Sequence, residues 1–212
     1  TGSVYSKEEI KALGDVCVER GVLIMSDDIY EKLVYDGAEF TSVTGFSEDH
    51  LAHTIIVHGL AKAYSMTGWR IGFLAAPKPI AQAINALQSH STSNATSFAQ
   101  KGAVAALTGP QTHLDDWLTE FNNRRTYAAE RLNNMEGVSC VNSRGAFYLF
   151  PNIEGTGLKS AEFCDRLLEH SKVAAVPGIA FGADNNFRIS YATSMDNIQK
   201  GMDRLEEFCK SL

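Results

Sequence analysis

Lys62 and Arg70 lie eight positions apart in HGLAKAYSMTGWRIGF, directly after an apolar run at residues 54–57. A lysine amine held in a partly desolvated pocket near another cation loses part of its preference for the proton. The free amine can then attack an aldehyde and form a Schiff base. Arginine stays charged, and its planar fork suits a phosphate. An aldehyde and a phosphate on one small molecule describe pyridoxal phosphate, so this segment alone points to a cofactor and a place to hold it.

A second group of reactive side chains follows another short apolar run, residues 22–25, in the string SDDIY. Acid and phenol gather there at the C-terminal end of an expected strand, the edge of an open α/β sheet where ligands bind. Asp27 has the chemistry to pair with a protonated pyridine nitrogen, which keeps a pyridoxal ring electron-poor, and Tyr30 to hydrogen-bond the ring's phenolic oxygen. Taken singly, Asp27 reads equally as a turn acid and Tyr30 as a half-buried aromatic. A third charge, Arg188, sits in the β-like alternation of FRISYATS between Phe187 and Ile189. Burying a guanidinium without a counter-ion is costly, so Arg188 either meets an internal acid or receives an anionic substrate; a carboxylate fits its fork with two parallel hydrogen bonds.

With these residues in hand, the sequence resembles the fold-type I pyridoxal phosphate enzymes, specifically class I/II aminotransferases of the aspartate aminotransferase type. The strings SDDIYEKLVYDG, AKAYSMTGWRIGF, SNATSFAQ, GAFYLFP, VPGIAFG and FRISYATS carry the resemblance along the whole chain. The resemblance implies that Lys62 forms the Schiff base and acts as the catalytic base, Asp27 pairs with the pyridine nitrogen, and Tyr30 binds the ring hydroxyl. It further implies that Arg70 binds the phosphate and Arg188 the substrate's α-carboxylate, while Ser93 and Asn94 match a stretch near the partner subunit's cofactor. The implied reaction moves an amino group between an amino acid, aspartate foremost, and a 2-oxo acid such as 2-oxoglutarate, in a cytoplasmic homodimer of the full-length protein. A β-lyase or aminocyclopropane carboxylate synthase-like enzyme of the same fold, or a non-catalytic aminotransferase-like sensing domain, are the alternative readings.

Two departures from the family pattern stand out. Before the lysine the chain reads His58, Gly59, Leu60, Ala61, where relatives often carry Asn and serines, so Arg70 is left to bear more of the phosphate charge. At the front, Thr1 and Gly2 resemble the tail of the family's Asn-Pro-Thr-Gly motif, so the chain reads as the C-terminal half of such an enzyme.

The elements that must position these groups follow from periodicity. Ser6 and Glu9 form a capping-box signature ahead of an amphipathic stretch through Ile10, Leu13, Val16 and Cys17 that ends at Gly21. Strands are expected at residues 22–25, 54–57 and 71–75, and helical spacing over 80–107 and 112–135. Short β runs at 138–141, 146–150, 173–176 and 187–191 surround a helix at 160–170, and a last helix starts near Ser194. This predicts an α/β chain with a bridging helix over 109–136 and a small α+β domain over 137–212; the resemblance implies that 1–108 is the C-terminal part of a large pyridoxal phosphate-binding domain. With 44% hydrophobic residues, 21% charged and a net charge of −6, the chain has no basic patch for nucleic acid. No run approaches the length of a membrane span. The four cysteines show no CxxC spacing and read as buried thiols. His50 and His53 form an HxxH pair without a third ligand, so surface histidines and no metal are expected.

Overall fold

The computed structural model describes residues Thr1–Leu212 and falls into two compact units, Val4–Asp115 and a second made of Asp116–Leu212 with Thr1–Ser3. In the first, helix α1 (Lys7–Glu19) starts as its sequence dictates. The Glu9 amide donates to Ser6 Oγ at 3.2 Å while the Ser6 amide donates to Glu9 Oε2 at 2.7 Å, completing the capping box. It ends at Gly21, whose φ of +63° lets the Val22 amide reach the Cys17 carbonyl at 2.8 Å. That turn uses Gly21 and Val22, which is why strand β1 runs Ile24–Asp27, two residues later than hydrophobicity alone places it.

Strand β1 pairs in parallel with β2 (Thr54–Gly59), with Asp27 opposite Val57, and β2 pairs antiparallel with β3 (Gly72–Ala75). Between β1 and β2 lies a short helix, α2 (Glu48–His53), capped by Ser47. It corrects the expectation of surface histidines. His50 is buried against α1, its Nδ1 2.8 Å from Ser47 Oγ and its ring pressed on Gly14, where any Cβ would come within 2.7 Å. The helical stretch expected over 80–107 is broken into α3 (Lys78–Ser91) and α4 (Ser97–Thr108). Ser93, with φ +64°, takes the left-handed conformation after α3 and turns the chain between them.

Helix α5 (Thr112–Asn133) spans the division between the units. Beyond it, β4 (Tyr148–Leu149), β6 (Phe187–Ser190) and β5 (Val176–Pro177) form an antiparallel sheet in the order β4-β6-β5. The β run expected at 138–141 reduces to a single bridge, Ser139 to Asn152. Helix α6 (Ser160–Arg166) widens into a π-helical turn at Leu167–Ser171, and α7 (Met195–Lys210) is capped by Ser194. The core of this unit holds Leu132, Leu149, Ile153, Phe163, Leu167, Phe187 and Leu205, all fully buried. Phe163 packs on Phe187 at 5.0 Å and edge-on to Phe208 at 5.3 Å. Thr1–Ser3 joins this unit through the Gly2 carbonyl, which accepts from the Arg144 and Gly145 amides at 2.8 and 2.9 Å.

Candidate active site

Parallel pairing of β1 with β2 puts both C-terminal ends on one edge of the sheet. Asp27 closes β1, the chain turns at once through Tyr30, and β2 delivers the segment that carries Lys62. The Lys62 turn is pinned on both sides. Leu60, Ala63 and Tyr64 are buried in a cluster with Ala103, and Tyr64 donates its hydroxyl to Gln111 Oε1 at 2.9 Å. Half-buried Lys62 is thereby held over Tyr30, with Nζ 5.8 Å from the centre of the phenol ring. Asp27 is exposed at the strand end, and its carboxylate accepts from the Ile29 amide at 3.4 Å. Its neighbour Asp28 is the buried acid instead, accepting from the Ser26 hydroxyl at 2.6 Å, and serves the fold of the turn.

Arg70 follows a 3-10 turn at Thr67–Trp69 and takes a left-handed backbone, φ +52°. A non-glycine residue there costs on the order of 1 kcal/mol and persists only where surroundings enforce it. The enforcing contact is next door: the Trp69 ring lies on Gly102 of α4, so close that a Cβ would meet it at 2.5 Å. Exposed Arg70 donates to the Thr67 carbonyl at 2.9 Å, which spends one of its five N–H groups. Tyr30, Lys62 and Arg70 stand in the segments at one edge of this sheet, and Asp27 closes β1 there. That donor set fits pyridoxal phosphate: an amine for the aldehyde, a phenol and an acid for the ring, a fork for the phosphate.

His58, the departure from the family pattern, lies on β2 and links the two loops. Its ring stacks on Phe73 at 5.1 Å, its Nδ1 accepts from the Gly59 amide at 2.7 Å, and its Nε2 sits 3.4 Å from Glu31 Oε1. Glu31 follows Tyr30 directly, a partnership that nothing in the sequence pattern announced. Ser93 and Asn94 are exposed in the turn between α3 and α4.

In the second unit, Arg188 lies on β6, the central strand of its sheet, opposite Val176. Its Cζ is 4.3 Å from the Tyr148 ring centre and 4.4 Å from that of Phe181. These rings belong to the strings GAFYLFP and VPGIAFG. The turn holding Phe181 depends on Gly178, whose amide donates to the Asn186 carbonyl at 2.8 Å and where a Cβ would meet that carbonyl oxygen at 2.2 Å. Among the cysteines, Cys140, Cys164 and Cys209 are buried, and burial pushes each thiol up to about 11. Cys17 is half-buried, and all four are free.

The mixed sheet flanked by helices has the α/β fold of the fold-type I aminotransferases. The chain belongs to the class I and II aminotransferases, whose family model matches residues 1–205. It is 46% identical to an aspartate aminotransferase of Geobacillus stearothermophilus, an alignment covering 100% of this chain and 55% of that protein. It is 43% identical to a probable aspartate/prephenate aminotransferase of Aquifex aeolicus, over 98% of this chain and 54% of the other. The crystal structure of the Rhizobium meliloti aspartate aminotransferase superposes with a TM-score of 0.94 at 36% identity, covering 99% of this chain and 55% of that one. The chain therefore spans about half the length of the relatives it matches.

Proposed function

We propose that this chain supplies the lysine, ring-binding and carboxylate-binding groups of a pyridoxal phosphate-dependent aminotransferase acting on aspartate with 2-oxoglutarate as acceptor. The carrying observation is the half-buried Lys62 amine held 5.8 Å over the Tyr30 ring where parallel β1 and β2 end. When bound, the cofactor supplies an aldehyde to take up the amino group and an electron-poor ring to delocalise negative charge. The chain's own residues do the rest. The Lys62 amine would take the proton from the substrate α-carbon and hold it for return. Asp27 holds positive charge on the ring nitrogen, Tyr30 donates to the ring oxygen, and Arg70 fixes the phosphate. Arg188 takes the α-carboxylate and thereby orients the α-carbon.

The names of the relatives, aspartate aminotransferase and probable aspartate/prephenate aminotransferase, support the substrate class. In the same reading the active protein is a cytoplasmic homodimer to which Ser93 and Asn94 offer contacts across subunits. Its parts are a large domain over 1–108, an interdomain helix over 109–136 and a small domain over 137–212. No helix is long and apolar enough to cross a membrane.

Borohydride reduction after addition of pyridoxal phosphate tests the assignment directly. Peptide mapping should recover the pyridoxyl label on Lys62, and Lys62→Ala should lose both the label and the visible band. A label scattered over surface lysines, with Lys62 unmodified, sinks the proposal.

A further inference from the structure

We propose that Tyr148 and Phe181 are positioning residues that brace the Arg188 guanidinium, so that its fork edge is pre-set for a carboxylate; this rests on the reading of Arg188 as the carboxylate-binding group. The two rings come from either side of β6. Tyr148 stands on β4, which pairs with β6 through Tyr148 opposite Ser190, and Phe181 ends the turn that follows β5, whose Val176 is opposite Arg188. Their centres lie 4.3 and 4.4 Å from the guanidinium carbon, distances at which the flat cation stacks on an aromatic face. Each ring is itself held: Phe150 meets Phe181 edge-on at 5.8 Å, and Phe147 lies 4.8 Å from Tyr148.

The charged end of Arg188 thus lies against two rings, which offer the π-face attraction a cation needs without consuming N–H donors. A carboxylate partner from within the protein would have occupied the fork; an aromatic one leaves it open. The side chain is also denied most of its rotamers before any ligand arrives, so less freedom remains to be lost on binding. A bidentate carboxylate must then approach in the plane of the held guanidinium, which fixes the direction of the bond from carboxylate to α-carbon.

Phe181 is 44% exposed, so it can be changed without emptying the core. Phe181→Leu removes the π-face at similar bulk, and Phe181→Tyr keeps it. In this chain labelled with nitrogen-15 arginine, the Arg188 Nε–H resonance should be displaced by ring current in the native protein and in Phe181→Tyr, and return toward the free-arginine position in Phe181→Leu. Titration with aspartate, read on the same resonance, should give equal affinities for the native protein and Phe181→Tyr and a loss of about fivefold in Phe181→Leu. Arg188→Lys should lose the ligand response seen at other amides of β6. Equal affinity in Phe181→Leu overturns the brace while leaving Arg188 as the carboxylate group. A response that survives in Arg188→Lys, or one absent from the native protein, overturns the carboxylate reading and the brace with it.

Discussion

At the scale of single residues, the two units use arginine charge in two ways that one sequence letter does not distinguish. Arg70 is exposed and carries one bond, to the Thr67 carbonyl, so most of its fork is available to an anion. Arg188 is flanked by rings and held in one orientation before binding. Because Ala61 offers no hydroxyl, the phosphate should depend heavily on Arg70. Arg70→Lys keeps the charge but loses the bidentate geometry, and we expect it to weaken pyridoxal phosphate binding about tenfold, or ~1.4 kcal/mol. Titration of the visible cofactor band measures this, and an unchanged affinity would show that the phosphate is held elsewhere. Asp27 and Asp28 make the parallel point for acids. Adjacent in sequence, they take opposite environments because successive side chains at a strand end point to opposite faces, and Asp28 enters the hydroxyl cluster of Ser26 and Ser42.

At the scale of elements, helices α5 and α7 are joined by ions rather than by rings alone. Arg131 donates to Asp203 at 2.8 Å and to Glu206 at 3.0 Å, and Glu206 also takes Lys210 at 2.6 Å. The Lys210 bond first, and the Arg131 bond second, hold the Glu206 carboxyl below the ordinary glutamate value. A depressed carboxyl binds its proton less readily in the folded state than in the unfolded one. Its contribution to stability is therefore fully present above the unfolded pKa and lost as pH falls through the folded one. Glu206→Gln should lower Tm at neutral pH and leave it unchanged once the medium is acid enough to protonate the native carboxyl. A Tm difference that persists undiminished into acid would assign the effect to packing. The sequence placed both helices, but Arg131 and Glu206 stand 75 positions apart, and only the antiparallel sheet between them fixes which faces meet.

At the scale of the whole molecule, the sheet of the Val4–Asp115 unit has only three strands, so β1 and β3 both lie at an edge. Met25 on β1 is 76% exposed, and Phe73 and Leu74 on β3 are exposed too, as are Leu87 on α3 and Phe98 on α4. Edge strands that carry apolar side chains pair readily with other chains, and exposed apolar surface of this kind marks an interface or an association hazard. We expect this chain by itself to bind a hydrophobic dye and to sediment with a concentration-dependent mass, both reduced by Met25→Lys. A monodisperse single-chain species at every concentration, without dye binding, would show these side chains to be harmless where they stand.

The residues of the candidate site, and much of the fold, were legible because their signals are local. The capping box of α1 depends on residues three apart, the strand runs on hydrophobicity at neighbouring positions, and the reactive residues cluster in strings such as SDDIY and AKAYSMTGWRIGF. What the sequence determined by itself was therefore the chemistry: which amine, acid, phenol and guanidinium groups exist, and which short segments carry them. Tertiary structure decided their environment. The burial of His50, the left-handed backbone of Arg70 imposed beside Trp69 and Gly102, the pairing of His58 with Glu31 and the rings around Arg188 all arise from contacts between separate segments. Such contacts depend on how strands register and helices pack. A pattern of neighbours along the chain records that a side chain is apolar or charged, but only folding determines what it faces.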